Sequence, residues 1–197
     1  MSAPLSDDHF EPDSRAAWRA WLQAHHTRPG GVWLVLRRKA APVPNLSLAD
    51  AVEEALCFGW IDSRPRQIDD QRTGLYIAPR KVGSGWSAVN KEKIGRLQAA
   101  GLMAPAGQAK IDAAIRDGSW TKLDAVDALE VPPDLRLALD ARPGAQAFWD
   151  AFPRSAQRGI LEWIVQAKTD GTRQKRVLET AEKAARNERA NQWRKKA

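Results

Sequence analysis

At 197 residues, with 43% hydrophobic and 28% charged residues, the chain is long enough to bury a core and too apolar for global disorder. No apolar run approaches the roughly 20 residues of a membrane helix, and a single cysteine, Cys57, excludes an internal disulfide and a thiolate-rich zinc site. The formal charge of +7 is unevenly placed, because ten basic and four acidic residues between Lys168 and Ala197 carry +6 of it.

Residues 1–13 hold acids and prolines where a secretory leader has a basic and then an apolar stretch, so a cytoplasmic location is the expectation. Ser14 is placed to cap a first helix running to His26, with Ala17, Trp18, Trp21 and Leu22 at helical spacing. Pro29-Gly30-Gly31 stops it. Val32 to Leu36 is short and bounded by glycine and a basic triplet, as a buried strand is. Ser47 opens a second helix whose apolar face is Leu48, Ala51, Val52, Ala55 and Leu56, ending near Gly59. From Trp60 to Gly85 the pattern breaks into short irregular pieces, with Leu75 to Ala78 as a second strand.

The spacing of Val89, Ile94, Leu97 and Ala100 then predicts a helix over Ser87 to Ala100, and a second follows over Pro105 to Arg116, with Ile111, Ala114 and Ile115 buried. Trp120 to Val131 carries a short acidic helix. Val131-Pro132-Pro133-Asp134 is the strongest punctuation, and it divides the chain into an α+β lobe, residues 1–130, and a helical lobe with a basic tail, residues 131–197. Four helices follow it, Leu135 to Ala141, Ala145 to Phe152, Pro153 to Lys168 and Thr172 to Arg189. Ile160, Leu161, Ile164 and Val165 point inward on the third, and Val177, Leu178, Ala181, Ala184 and Ala185 on the fourth. The fold class is α+β, predominantly helical, with a small β element in the first lobe. Trp18, Trp21, Trp149 and Trp163 read as core or lobe-interface residues, and Trp193 in the basic tail as packing back on the body or, second, stacking on a partner.

Three blocks resemble one known family. Glu53-Glu54-Ala55-Leu56-Cys57-Phe58-Gly59-Trp60-Ile61-Asp62-Ser63 is the first. Ala78-Pro79-Arg80-Lys81 with Ser84, Trp86-Ser87 and Asn90-Lys91 is the second. Phe148, Phe152-Pro153, Glu162-Trp163-Ile164, Ala167-Lys168, Thr172-Arg173 and Arg176 form the third. Together they are similar to the YdeI/OmpD-associated family, the bacteriocin-protection proteins, from about Phe10 to Trp193. The resemblance implies a link to bacteriocin or antimicrobial stress and association with an outer-membrane porin. It implies no reaction, cofactor or catalytic set.

Cys57 to Arg64 gathers a thiol, a carboxylate, a hydroxyl and a guanidinium where a helix meets an irregular segment. One reading makes Asp62, Arg64 and Arg80 the polar anchors of a pocket walled by Trp60, Tyr76 and Trp86, with Asn90 and Lys91 adding to an anion site. The other makes Cys57, Phe58 and Trp60 core, Gly59 a turn and Asp62 a structural partner. Both stay open. Cys57 as a nucleophile needs a base, and His9, His25 and His26 are all distant in sequence. His25-His26 is a poor metal pair, since adjacent side chains diverge on a helix, and Glu53-Glu54 and Asp69-Asp70 read as surface acids.

The leading function is therefore a non-catalytic binding protein of the antimicrobial-stress class with an anion pocket around Arg64, Arg80 and Asn90, requiring no cofactor. The second is an enzyme acting on a small anionic metabolite, with Asp62 as acid/base; its mark is an Asp62 partly buried in a pocket and not committed to an arginine. The third uses the basic C-terminal helix on a protein or polyanion, nucleic acid being the least favoured partner because charge alone carries no specificity.

Overall fold

The computed structural model describes residues 8–38, 41 and 43–192. Trp193 and the last basic residues lie outside them. Within the described span local capping chemistry sets the first helices. Ser14 Oγ accepts from the Ala17 amide at the head of α1 (Arg15–His25), and Ser47 Oγ from the Asp50 amide at the head of α2 (Leu48–Cys57). Ser87 does the same for Asn90 in α3 (Ala88–Ala99), while α4 (Pro105–Arg116) starts on proline with no side-chain cap.

Among the described residues four strands, β1 (His9–Phe10), β2 (Val32–Arg37), β3 (Trp60–Gln67) and β4 (Arg72–Pro79), form one sheet in the order β1-β2-β4-β3. Only the β1–β2 pair is parallel. The segment read from sequence as irregular is thus an edge strand. Its residues Asp62 to Gln67 are poor strand formers, and they are held by antiparallel pairing to β4. Val32, Leu34, Leu36, Leu75 and Ile77 pack with Trp18, Leu22, Ala51, Ala55 and Leu56 in the first core. Trp18 Nε1 donates to the Ala51 carbonyl at 3.1 Å, tying α1 to α2.

The chain divides into two compact units, Met1–Trp120 and Thr121–Ala197. The division precedes the proline punctuation because Leu123 and Val126, on and beside α5 (Asp124–Asp127), belong to the second core. That core is built from α6 (Pro133–Asp140), α7 (Ala145–Ala151), α8 (Arg154–Val165) and α9 (Asp170–Ala184), with Leu135, Leu139, Trp149, Ile160 and Ile164 packed on Val177, Ala181 and Ala184. Small residues on α9 admit close neighbours on that face. Some expected inward positions are outward: Leu178, Ile115, Val89 and Leu48 are exposed, each displaced around its helix from the buried row, and Thr180 takes an inner place on α9. Among the described residues no helix is long and apolar enough to cross a membrane.

Arg173 holds Asp134 through Nε at 2.7 Å and Nη2 at 3.0 Å. Burial pushes the Asp134 carboxyl up, but the guanidinium and the Leu135 amide outweigh it and leave it below the ordinary value. A carboxylate depressed in the folded state adds stability above its unfolded pKa of about 3.9 and loses it as pH falls through the folded value. Urea unfolding of the full chain should therefore show stability declining below about pH 4, with a shallower decline in Arg173→Met. Identical slopes would show that the pair contributes nothing.

Candidate functional site

The Cys57 to Arg64 motif turns from α2 into β3. Cys57 is fully buried, and burial pushes its thiol up, so it supplies no ready thiolate. Phe58 and Trp60 are core as well, with Trp60 Nε1 donating to the His26 carbonyl at 3.1 Å. Gly59 makes the turn at φ 73°, in the left-handed region. A Cβ there would lie 2.5 Å from Lys110 Cγ, so the glycine also lets the Lys110 stem cross the chain.

The side chains singled out in the sequence go to separate places. A register shift between Asp62 and Arg64 puts them on opposite faces of the sheet, although residues two apart in a regular strand share a face. Arg64 lies with its register partner Tyr76 on the outer face, its guanidinium 5.2 Å from the Tyr76 ring and 5.9 Å from Trp33. Asp62 lines a cavity on the inner face. Arg80 is buried in the turn after β4, 3.7 Å from the Trp86 ring centroid. Trp86 leads to Trp120, and Lys91 stands 5.2 Å over Trp120. Asn90 sits in the capped first turn of α3. A single pocket containing Arg64, Arg80 and Asn90 is not formed, because strand register separates Arg64 from the turn that holds Arg80.

A different basic group does converge. Between the end of α1, the Gly59 turn and the start of α4 lies a cavity of about 460 Å³ whose walls carry His26, Arg28 and Lys110 and, among the described residues, no acid. Phe58 and Trp60 supply its apolar surface. Ala106, in the first turn of α4, brings the positive end of the helix dipole to the same wall, with no capping side chain in competition. Arg28 is partly committed to Asp8. Lys110 has no ion-pair partner among the described residues. His26 Nδ1 lies 3.1 Å from the Gln23 carbonyl and 3.2 Å from that of Leu22, so this nitrogen donates to the backbone of α1.

Lys110 also borders a void of about 20 Å³ that holds Arg80. One Arg80 N–H donates to the Gly85 carbonyl, while Nε and Nη1 have no protein partner. Burial without a compensating carboxylate lowers the Arg80 pKa to about 10. Asp117 lines the same void, and hydrogen bonds from Ser119 and the Gly83 amide lower its pKa and keep it anionic. Lys110 and Arg80 thus stand in this corner of the first unit with no ion-pair partner among the described residues.

Residues 10–110 match the model of a family described as a domain of unknown function, DUF8412, which takes in just over half of the chain. The chain belongs to the DUF8412 family. Residues 128–187 match the Bacteriocin-protection, YdeI or OmpD-Associated family, so the resemblance drawn from the sequence is shown over that part of the chain. The first two of its three blocks fall within the DUF8412 span. No curated protein and no solved structure matches the chain.

The DUF8412 span contains every residue lining the basic cavity. Of those residues, Trp60 was singled out in the sequence for a site, whereas Arg28 and Lys110 were not. Lys110 stands mid-helix among alanines, and no local pattern marks it. The usable signals were indirect: Gly59 and Gly107, two glycines that together bring α4 against the α2–β3 turn.

Proposed function

We propose that this protein is a non-catalytic binding protein that takes a small anion in the cavity between the Gly59 turn and the head of α4. The observation that carries the reading is a cavity wall with Lys110, Arg28 and His26 and no described acid. Lys110 is the primary contact, since it is unpaired among the described residues. Arg28 and the α4 dipole add to the field, and Phe58 and Trp60 accept a flat or apolar portion of the ligand. The ligand class is a small carboxylate or phosphate ester. The name of the family matched by residues 128–187 supports placing the protein in the bacteriocin-protection class.

The test is calorimetric titration of the full chain with inorganic phosphate and a series of aromatic and aliphatic carboxylates. Lys110→Met keeps the stem that packs on Gly59 and removes the charge. It should weaken binding by about tenfold or more, the effect of losing a charge-assisted hydrogen bond. Arg64→Ala, on the outer sheet face, should change nothing. Unaltered affinity in Lys110→Met, or loss in Arg64→Ala, would overturn the assignment.

A further inference from the structure

A second cavity among the described residues is larger than the basic one. It measures about 720 Å³, within the range of small-molecule sites, and lies against the inner face of the sheet beside the segment that enters α2. Its surface is mainly Leu36, Leu46, Leu48, Pro65 and Leu75. It shares no lining residue with the basic cavity.

Most of its polar lining is already used by the fold. Asn45 accepts from the amides of Arg37 and Leu46 and donates to the carbonyls of Pro12 and Val35. Ser47 caps α2, Arg37 pairs with Glu11 at 2.8 Å, and Ser63 donates to the Tyr76 carbonyl at 3.3 Å. Asp62 is the only acid lining the cavity among the described residues, and no described cation lies within ion-pairing distance of it. The register shift after Asp62 is what aims it inward: without it Asp62 would stand on the outer face beside Arg64.

A half-buried carboxylate without a counter-ion, set among leucines and prolines, calls for a ligand that brings the counter-ion and an apolar body together. We infer that this cavity is a second binding site, for a small apolar amine whose ammonium group pairs with Asp62. Its lining residues include no histidine, cysteine or second acid, and the Ser47 and Ser63 hydroxyls already donate within the fold, so the role inferred is binding. Arg38, which is exposed, also lines the cavity.

The experiment titrates the full chain with hexylammonium, hexanol and hexanoate, which share an apolar body and differ in charge. Hexylammonium should bind at least about tenfold tighter than either of the others, the margin of one charge-assisted contact. Asp62→Asn should abolish that preference while leaving hexanol affinity unchanged, and Lys110→Met should leave it intact. Leu48→Trp, which fills the mouth from the exposed first turn of α2, should weaken hexylammonium binding with Asp62 still present. Equal affinities for the three probes, tighter hexanoate, or an amine preference that survives Asp62→Asn would overturn the proposal. Retention of the amine preference in Lys110→Met distinguishes this site from the anion site, whose failure would leave this result untouched.

Discussion

Replacing Gly107 with alanine should lower stability by about 3 kcal/mol, at the upper end of overpacking effects. A Cβ at this position would lie 2.1 Å from the Cys57 carbonyl oxygen and 2.7 Å from its carbon, and backbone cannot rotate out of the way as a side chain can. Met103 Cε would be 2.9 Å away on another side. The Cys57 carbonyl also accepts from the Ala104 amide at 3.1 Å, so displacing it disturbs the entry to α4 as well. Gly95 provides the contrast. It is an exposed helical position on α3 with nothing within 4 Å of a Cβ, and Gly95→Ala should raise stability by about 1 kcal/mol through helix propensity alone. Both are read from urea unfolding of the full chain. A neutral Gly107→Ala would mean that α4 can slide away from the turn, and anion binding should then weaken with it, because the slide would carry Lys110 off Gly59.

The other large effect concerns Glu54, an acid 3% exposed on the inner side of α2. Arg15 Nε meets its Oε1 at 2.6 Å and Arg19 Nη1 its Oε2 at 2.7 Å, so two arginines of α1 satisfy one buried carboxylate. Arg15 also pairs with Asp50 and, at 3.3 Å, with Glu53. Removing both arginines strands the carboxylate in the α1–α2 interface, and the double variant Arg15→Ala, Arg19→Ala should lose about 3–5 kcal/mol. Adding Glu54→Met should recover most of that loss, because it removes the stranded charge and keeps the packing volume. Glu54→Met alone should be milder than the double variant, since the arginines are about a third exposed and can turn to water. A double variant that unfolds no more easily than Glu54→Met would refute the argument.

This network also accounts for part of the motif that stood out in the sequence. Glu53-Glu54 is not a spare acidic pair on the surface. Glu54 is buried by design of the α2 face, and Cys57, one turn on, lies beside Arg19 in the same interface. The recognisable block from Glu53 to Ser63 therefore has a structural explanation at most of its polar and aromatic positions: Glu54 for α1, Cys57 and Phe58 for the core, Gly59 for the turn and for Lys110, Trp60 for the carbonyl of His26, Ser63 for the carbonyl of Tyr76. Asp62 is the member without one.

What lies within one helical turn was legible from the sequence. The caps at Ser14 and Ser47, the helix from Ser87, the proline start of α4, the strand from Val32 and the helices beyond Pro132 all follow from spacing and from residues that act on their own neighbours. The α+β class and the mainly helical second unit follow in turn from that order of elements. The tertiary structure alone decided the rest. The polar run Asp62 to Gln67 becomes a strand only because β4 offers it a partner, and a one-residue shift in that pairing sends Asp62 inward and Arg64 outward. Two glycines far apart in sequence bring Lys110 to the Gly59 turn, where it meets His26 and Arg28. A binding site is made of side chains from several elements, and the face each one occupies is a property of register and close approach, which no residue's near neighbours encode.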